Sequence, residues 1–386
     1  MIPLSIPNIS GNEWKYIKQC LDGGWISSSG SLVGTFETEF RKVTHAGFAV
    51  SCMNGTCGLH VALQIAGLGP QDEVIVPTLS FIAPVNAVRY RNAEPVFMDC
   101  DEYLNMDPQK LRHFVRKECT LTRQGLKNKK TKRIIKAIVP VHVFGNLCSM
   151  DEIMEVAKDA HLAVVEDAAE ALGSRYTKGR YKGYFAGTIG DLGVYSFNAN
   201  KIVTTGGGGM ICTNNRTLAE KARYLINQAK DDPVRYVHNE TGYNFSMTNI
   251  QAAMGVAQLE RLGTFLLAKK KNYSLYKDKL RSVTGLRIMG IPAHTRPNYW
   301  FYSLIVDKDT FGLDREELMA KLSASGIQTR PLWYLNHLQA PYRKNQAYRI
   351  EKAAWFWERV LSLPCSTNLT EADINKVVGA IKKEKN

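Results

Sequence analysis

FAVSCMNGTCGLHVALQIAGLG, Phe48 to Gly69, holds the two elements from which the rest can be read. FAVSCM is a short apolar run of strand type, and LHVALQIAGLG has the apolar spacing of a helix. Between them NGTCG, Asn54 to Gly58, is built of small residues. Such a turn brings backbone N–H groups and the Thr56 hydroxyl to the positive end of a helix, where a phosphate can be held. It equally serves as a tight strand-to-helix connection. It is not G-x-G-x-x-G, so a dinucleotide fingerprint is not supported.

The same alternation continues outward from about residue 45 to 230. EVIVP (73–77), AEPVFMD (93–99), RIIKAIVPVHV (133–143) and LAVVED (162–167) are further strand-type runs. Helical patterns lie between them, among them SMDEIMEVAKDAH with Ser149 placed to cap it. Near-continuous apolar strands alternating with helices predict an α/β fold, with a mostly parallel sheet covered on both faces. Ligands of such sheets gather at the carboxyl ends of the strands. Beyond residue 250, NIQAAMGVAQLERLGTFLLAKKKNYSLYKDKL reads as one long helix or as two with a bend near Gly263. NYWFYSLIV follows as a strand, DREELMAKLSASG as a helix with a glycine stop, and EADINKVVGAIKK as a closing helix. The expected division is 1–261 for N-terminal helices and a large domain, and 262–386 for a smaller α+β domain.

The bulk composition fits this reading. The chain has 386 residues, 45% hydrophobic and 22% charged, as in an ordinary globular protein with a sizeable core. No run of 18 apolar residues suggests a membrane span, and MIPLSIPNISGNEW lacks the basic flank and apolar core of a signal peptide. A cytoplasmic protein is expected. Eight scattered cysteines with no C-x-x-C pair predict neither a metal site nor a disulfide framework. The net charge of +14 admits nucleic acid, an anionic surface or a phosphorylated small molecule as partner. No nucleic-acid motif accompanies the basic runs KNKKTKR (127–133) and KKEKN, so they read as charged surface.

Three further stretches carry candidate chemistry. In VPTLSFIAP, Phe81 lies just past a strand end, either to stack on a flat heterocycle or as a core phenylalanine. In LAVVEDAAEALGS, Glu166 and Asp167 end an apolar strand, where a carboxylate needs a cationic partner. A protonated pyridine nitrogen or a structural arginine would serve, and Glu170 follows at i+3 if a helix begins there. In SFNANKIVTTGGGGM, Lys201 precedes its glycines, the reverse of a P-loop. A nucleophilic lysine must lose its proton, and neither Asn198 nor Asn200 adds a charge that would hold it. A lysine Schiff base with an acid against a pyridinium is the pattern of pyridoxal phosphate enzymes.

These residues in this order resemble the DegT/DnrJ/EryC1/StrS sugar aminotransferases, which are pyridoxal 5′-phosphate enzymes of fold type I. The likeness includes GYNFSMTNIQAAMGVAQLERL (242–262) and runs from GGWISSSG to LSLPCSTNLTEADI. It implies a homodimer with two shared active sites. In it Lys201 forms the Schiff base and moves the proton between cofactor and substrate carbon. Asp167 keeps the pyridine nitrogen protonated, Phe81 stacks on the ring and Glu170 lies on the other side. Gly55, Thr56 and Ser196 hold the phosphate, and Asn244 reaches in from the partner. Trp25, Ser29, Arg330 and His337 are implied to meet a nucleotide-sugar, although His337 also reads as a satisfied surface or helix-capping histidine. The resemblance thus predicts transfer of an amino group from L-glutamate to the C4 ketone of a UDP-linked 4-keto-6-deoxy-N-acetylhexosamine, for surface glycan biosynthesis. The alternatives are a GDP-perosamine synthase acting on GDP-4-keto-6-deoxymannose, or a cofactor-free regulatory homologue. The family's sugar 3-dehydratases carry histidine in place of the lysine, which Lys201 argues against. Relatives often read TGEGG where this chain has TTGGGG.

Overall fold

The computed structural model describes residues 1–385. Two helices, α1 (Glu13–Asp22) and α2 (Ser31–Thr44), precede the first strand β1 (Phe48–Cys52). From β1 the chain enters α3 (Gly55–Ile65), capped by the Asn54 side chain, which accepts the Cys57 N–H. Strands β2 (Glu73–Pro77), β3 (Glu94–Met98), β4 (Ile134–Ile138), β5 (Ala163–Asp167), β6 (Leu192–Ser196) and β7 (Gly209–Thr213) complete the main part of the large sheet.

Their order is β1-β7-β6-β5-β4-β2-β3. The run from β6 to β3 is parallel, whereas β7 pairs antiparallel with both β6 and β1. This is the mostly parallel sheet that the alternation predicts, made mixed by the antiparallel β7. Its apolar runs are continuous because both faces are covered. Ile75 packs into one core with Phe36 and Phe40 of α2, while Val74 and Val76 pack into another with Leu59 and Leu63 of α3. Burying each such side chain contributes about 1.5–3 kcal/mol.

The long helix is single. α4 (Asn249–Leu280) runs 32 residues, opened by a capping box of Thr248 and Gln251, and has no break at Gly263. The anticipated division at 261/262 falls inside it. After it come β8 (Leu286–Ile288), β9 (Tyr302–Val306), β10 (Arg330–Pro331), β11 (Ala347–Tyr348) and β12 (Val360–Leu363). Four of these make a second, antiparallel sheet in the order β8-β9-β12-β10. β11 instead joins the large sheet, parallel to β3 at its edge.

Several local expectations change. Ser149 precedes the helix Met150–Ala160, but its side chain makes no capping bond; Asp151 and Glu152 supply the favourable charge in the first turn. Residues 168–174 form successive turns rather than a helix, so Asp167 and Glu170 are not on one helical face. NYWFYSLIV is strand only from Tyr302, because Tyr299 adopts φ 57° and turns Trp300 away from the ladder. The basic run from Lys127 begins as the end of the hairpin strand Gly125–Asn128, with Asn128 buried against Glu73 and Gln346. All eight cysteines are free, and all but Cys57 are buried.

Candidate active site

The carboxyl ends of β2, β5 and β6, the start of α3 and segments 300–301 and 330–333 enclose a cavity of about 700 Å³. That size suits a small-molecule site. One wall is the start of α3. The N–H of Cys57 is taken by Asn54, but those of Gly55 and Thr56 have no acceptor among the described residues. Ser196, at the end of β6, lies beside them: a Cβ on Gly55 would come within 3.0 Å of the Ser196 Cβ. The glycine run supplies the support behind. A Cβ on Gly209 would sit 2.6 Å from the Asn54 carbonyl carbon and 2.8 Å from the Gly55 nitrogen. TTGGGG therefore lets β7 pass against the turn of its own chain. Gly209→Ala is expected to push this turn outward and weaken retention of a phosphorylated ligand by about tenfold or more, measured by equilibrium dialysis with pyridoxal phosphate.

The two carboxylates at the end of β5 have different surroundings. Glu166 accepts from the N–H groups of Gly187, Ile189 and Gly190 at 2.8, 2.7 and 2.6 Å. It also accepts from His142 Nε2 at 2.9 Å, a donor because the Cys148 N–H occupies Nδ1. Its lone pairs are used, and it holds the loop 187–190. Asp167 lines the cavity, and its side chain has one hydrogen bond, from the Ala169 N–H at 3.0 Å. Burial pushes its pKa above the ordinary carboxylate range, against the pull of that bond and of the Lys201 charge. A cation placed against its free oxygen would reverse this.

Lys201 follows β6 in a turn closed by its own N–H to the Asn198 carbonyl at 3.0 Å. Its Nζ lies 3.4 Å from Glu170 Oε1 and 3.9 Å from the centroid of the Trp300 ring. The other Glu170 oxygen accepts the Phe144 N–H at 2.9 Å, and burial raises the Glu170 pKa against the nearby Lys201 charge. Phe81 stands at the mouth, 55% exposed, with Trp333 6.5 Å away. It is a rim residue, not a core one.

The family model for the DegT/DnrJ/EryC1/StrS aminotransferases matches residues 7–382. The chain belongs to this family. A Caulobacter vibrioides relative named GDP-perosamine synthase is 39% identical, over 98% of this chain and 97% of its own. One of the same name from Escherichia coli O157:H7 is 37% identical over 99% and 98%. Among solved structures, DesI in the presence of its TDP-sugar product superposes with a TM-score of 0.87 at 29% identity, covering 99% of this chain and 92% of that one. The protein is thus a sugar aminotransferase of the nucleotide-sugar type, and the DegT family works with pyridoxal 5′-phosphate.

The residues present fit that cofactor. Two open N–H groups and a hydroxyl suit its phosphate, a buried and underbonded carboxylate suits its ring nitrogen, and a lysine amine stands in the same cavity. Of the candidate residues, Gly55, Thr56, Phe81, Asp167, Glu170, Ser196, Lys201 and Arg330 meet there. Trp25, Ser29 and Asn244 lie exposed and outside it. His337 is also outside, its Nδ1 2.6 Å from Thr78 Oγ1, an arrangement that ties residues 336–338 to the end of β2. Trp300, Phe144 and Trp333 line the cavity without having been singled out. Reading NYWFYSLIV as unbroken strand hid Trp300. No residue pattern marks Phe144, which reaches the site through a left-handed backbone at φ 55°. Among the described residues no helix is long and apolar enough to cross a membrane, and no group of three His, Cys, Asp or Glu could hold a metal.

Proposed function

We propose that this aminotransferase moves the amino group of L-glutamate to C4 of GDP-4-keto-6-deoxymannose, releasing 2-oxoglutarate and yielding GDP-perosamine. The observation that carries this reading is the near full-length identity, 39% and 37%, to two relatives named GDP-perosamine synthase. It favours the GDP-linked sugar over the UDP-linked N-acetylhexosamine anticipated from the sequence. The cofactor, when bound, supplies the carbonyl that takes the amino group and the ring that draws electrons from the reacting carbon.

The chain's residues position and move protons. Gly55, Thr56 and Ser196 hold the phosphate against the start of α3. Asp167 accepts the ring N–H, and its own ionised state is stabilised in return. Phe81 covers the ring and Glu170 stands beside the lysine. Lys201, once free, takes the proton from the donor carbon and later returns one to the sugar carbon. Arg330 faces the cavity with a charge suited to the anionic donor or the diphosphate. The working unit is a homodimer with shared sites. In it the exposed Asn244, Trp25 and Ser29 face the partner's cavity, and His337 supports the sugar side through Thr78.

The test is turnover of GDP- and UDP-linked 4-keto-6-deoxy sugars side by side, with glutamate and cofactor, products read by mass and NMR. The GDP sugar is expected to show a kcat/KM about tenfold higher or more, a difference of about 1.4 kcal/mol in transition-state binding. Preference for the UDP-linked N-acetylhexosamine would overturn the nucleotide assignment. No turnover of any keto sugar, with the cofactor bound, would point to a regulatory homologue.

A further inference from the structure

We propose that Trp300 is a positioning residue for Lys201: it anchors the lysine's backbone through its indole N–H and seats the amine on its ring face. This rests on the reading of Lys201 as the Schiff-base lysine. The indole Nε1 donates to the Asn200 carbonyl, one residue before Lys201, at 2.8 Å. The ring centroid of the same side chain is 3.9 Å from Lys201 Nζ, within cation–π reach. One side chain thus fixes both ends of the lysine.

Trp300 is itself held firmly. Its N–H donates to Asn298 Oδ1 at 3.0 Å, and its carbonyl accepts from the buried Lys269 Nζ at 2.9 Å. Asn298 in turn donates to the carbonyls of Glu170 and Leu172 at 2.8 and 3.0 Å. The ring is flanked by Phe301 at 4.3 Å and Phe144 at 6.0 Å between centroids. The turn at Tyr299 that interrupts the expected strand is what swings this ring into the cavity.

The charged groups facing the amine are Glu170 and, behind it, Asp167. Both attract a cation, but neither touches the backbone that carries Lys201. A flexible lysine released from the cofactor would otherwise sample several rotamers, and displacement of about 1 Å can cost about a hundredfold in rate. Seating the amine on a fixed aromatic face keeps it poised between the two half-reactions.

The test uses acetic anhydride on cofactor-free protein, with acetylation of Lys201 quantified by peptide mass against the exposed Lys18. Trp300→Leu is expected to raise the Lys201 rate about three- to tenfold without changing Lys18. Trp300→Phe keeps a ring face but loses the N–H. Its labelling is expected to stay within about twofold of wild type, while kcat of the loaded enzyme falls about tenfold at unchanged KM. A Trp300→Leu protein with a cooperative thermal transition and unchanged Lys201 labelling would overturn the proposal. So would a Trp300→Phe protein with wild-type kcat, or one whose KM alone rises. If the leucine variant does not fold, the phenylalanine variant decides. Borohydride reduction in the presence of pyridoxal phosphate reports separately on the lysine's role: label on another residue would remove the functional reading, whatever Trp300 does.

Discussion

Lys201→Ala protein is expected to retain no covalently attached cofactor after borohydride treatment and dialysis, and the untreated variant to turn over more slowly by about four orders of magnitude or more. Wild-type protein should keep a reduced, covalently fixed cofactor. The size follows from removing both the attachment point and the group that carries the proton. The alanine also leaves Glu170 buried without its cation, so a fold effect must be separated from a chemical one. Lys201→Arg provides the control, since it keeps a positive charge beside Glu170 and over Trp300 yet cannot form a Schiff base. Both variants should lose activity to a similar extent, with the arginine variant closer to wild type in thermal stability. Retained turnover in either one would rule out the assignment of Lys201.

The second large effect is expected at Asp167. Asp167→Asn preserves size and can still accept the Ala169 N–H, the one hydrogen bond its side chain makes. What it loses is the negative charge against the ring nitrogen. kcat is expected to fall about 10²–10³-fold, the scale seen when a preorganised electrostatic contact is removed. Cofactor retention should fall less, because the phosphate contacts at α3 remain. The checking measurement is single-turnover kinetics with glutamate, followed by the change in visible absorbance. A variant with wild-type single-turnover rates would mean that the ring nitrogen is not paired with Asp167.

The outline of the large sheet was legible in the sequence because its strands are buried on both faces, which leaves unbroken apolar runs such as EVIVP and LAVVED. The site's anchor residues were legible for a related reason. A lysine, an acid and a small-residue turn at strand ends have few structural uses in common. By residue pattern alone Glu166 and Asp167 could not be told apart, since adjacent residues of a strand face opposite ways and the sequence does not say which way is the cavity; the family resemblance was what singled out Asp167. The antiparallel course of β7 and the reach of β11 to β3 depend on long-range pairing that local periodicity does not encode. Residues 168–174 show the same limit at shorter range, since a helical pattern gave way to successive turns beneath the cavity, and at Ser149 the helix formed but without the expected side-chain cap. That the glycine run admits a close backbone approach was legible; that the backbone it approaches is the turn at Asn54 was not.

The way the C-terminal part is fastened bears on how ligands come and go. α4 is one uninterrupted rod of about 48 Å at 1.5 Å per residue, and it packs against α1, α2 and the closing helix Glu371–Lys383. β11 is laced into the far edge of the large sheet, and Asn298 is bonded to the loop that carries Glu170. A clamshell motion of the two sheets would have to tear all three attachments at once. With these attachments in place, side-chain movement at the mouth, where Phe81 stands exposed beside Trp333, is the expected route by which a sugar as bulky as a nucleotide conjugate is admitted.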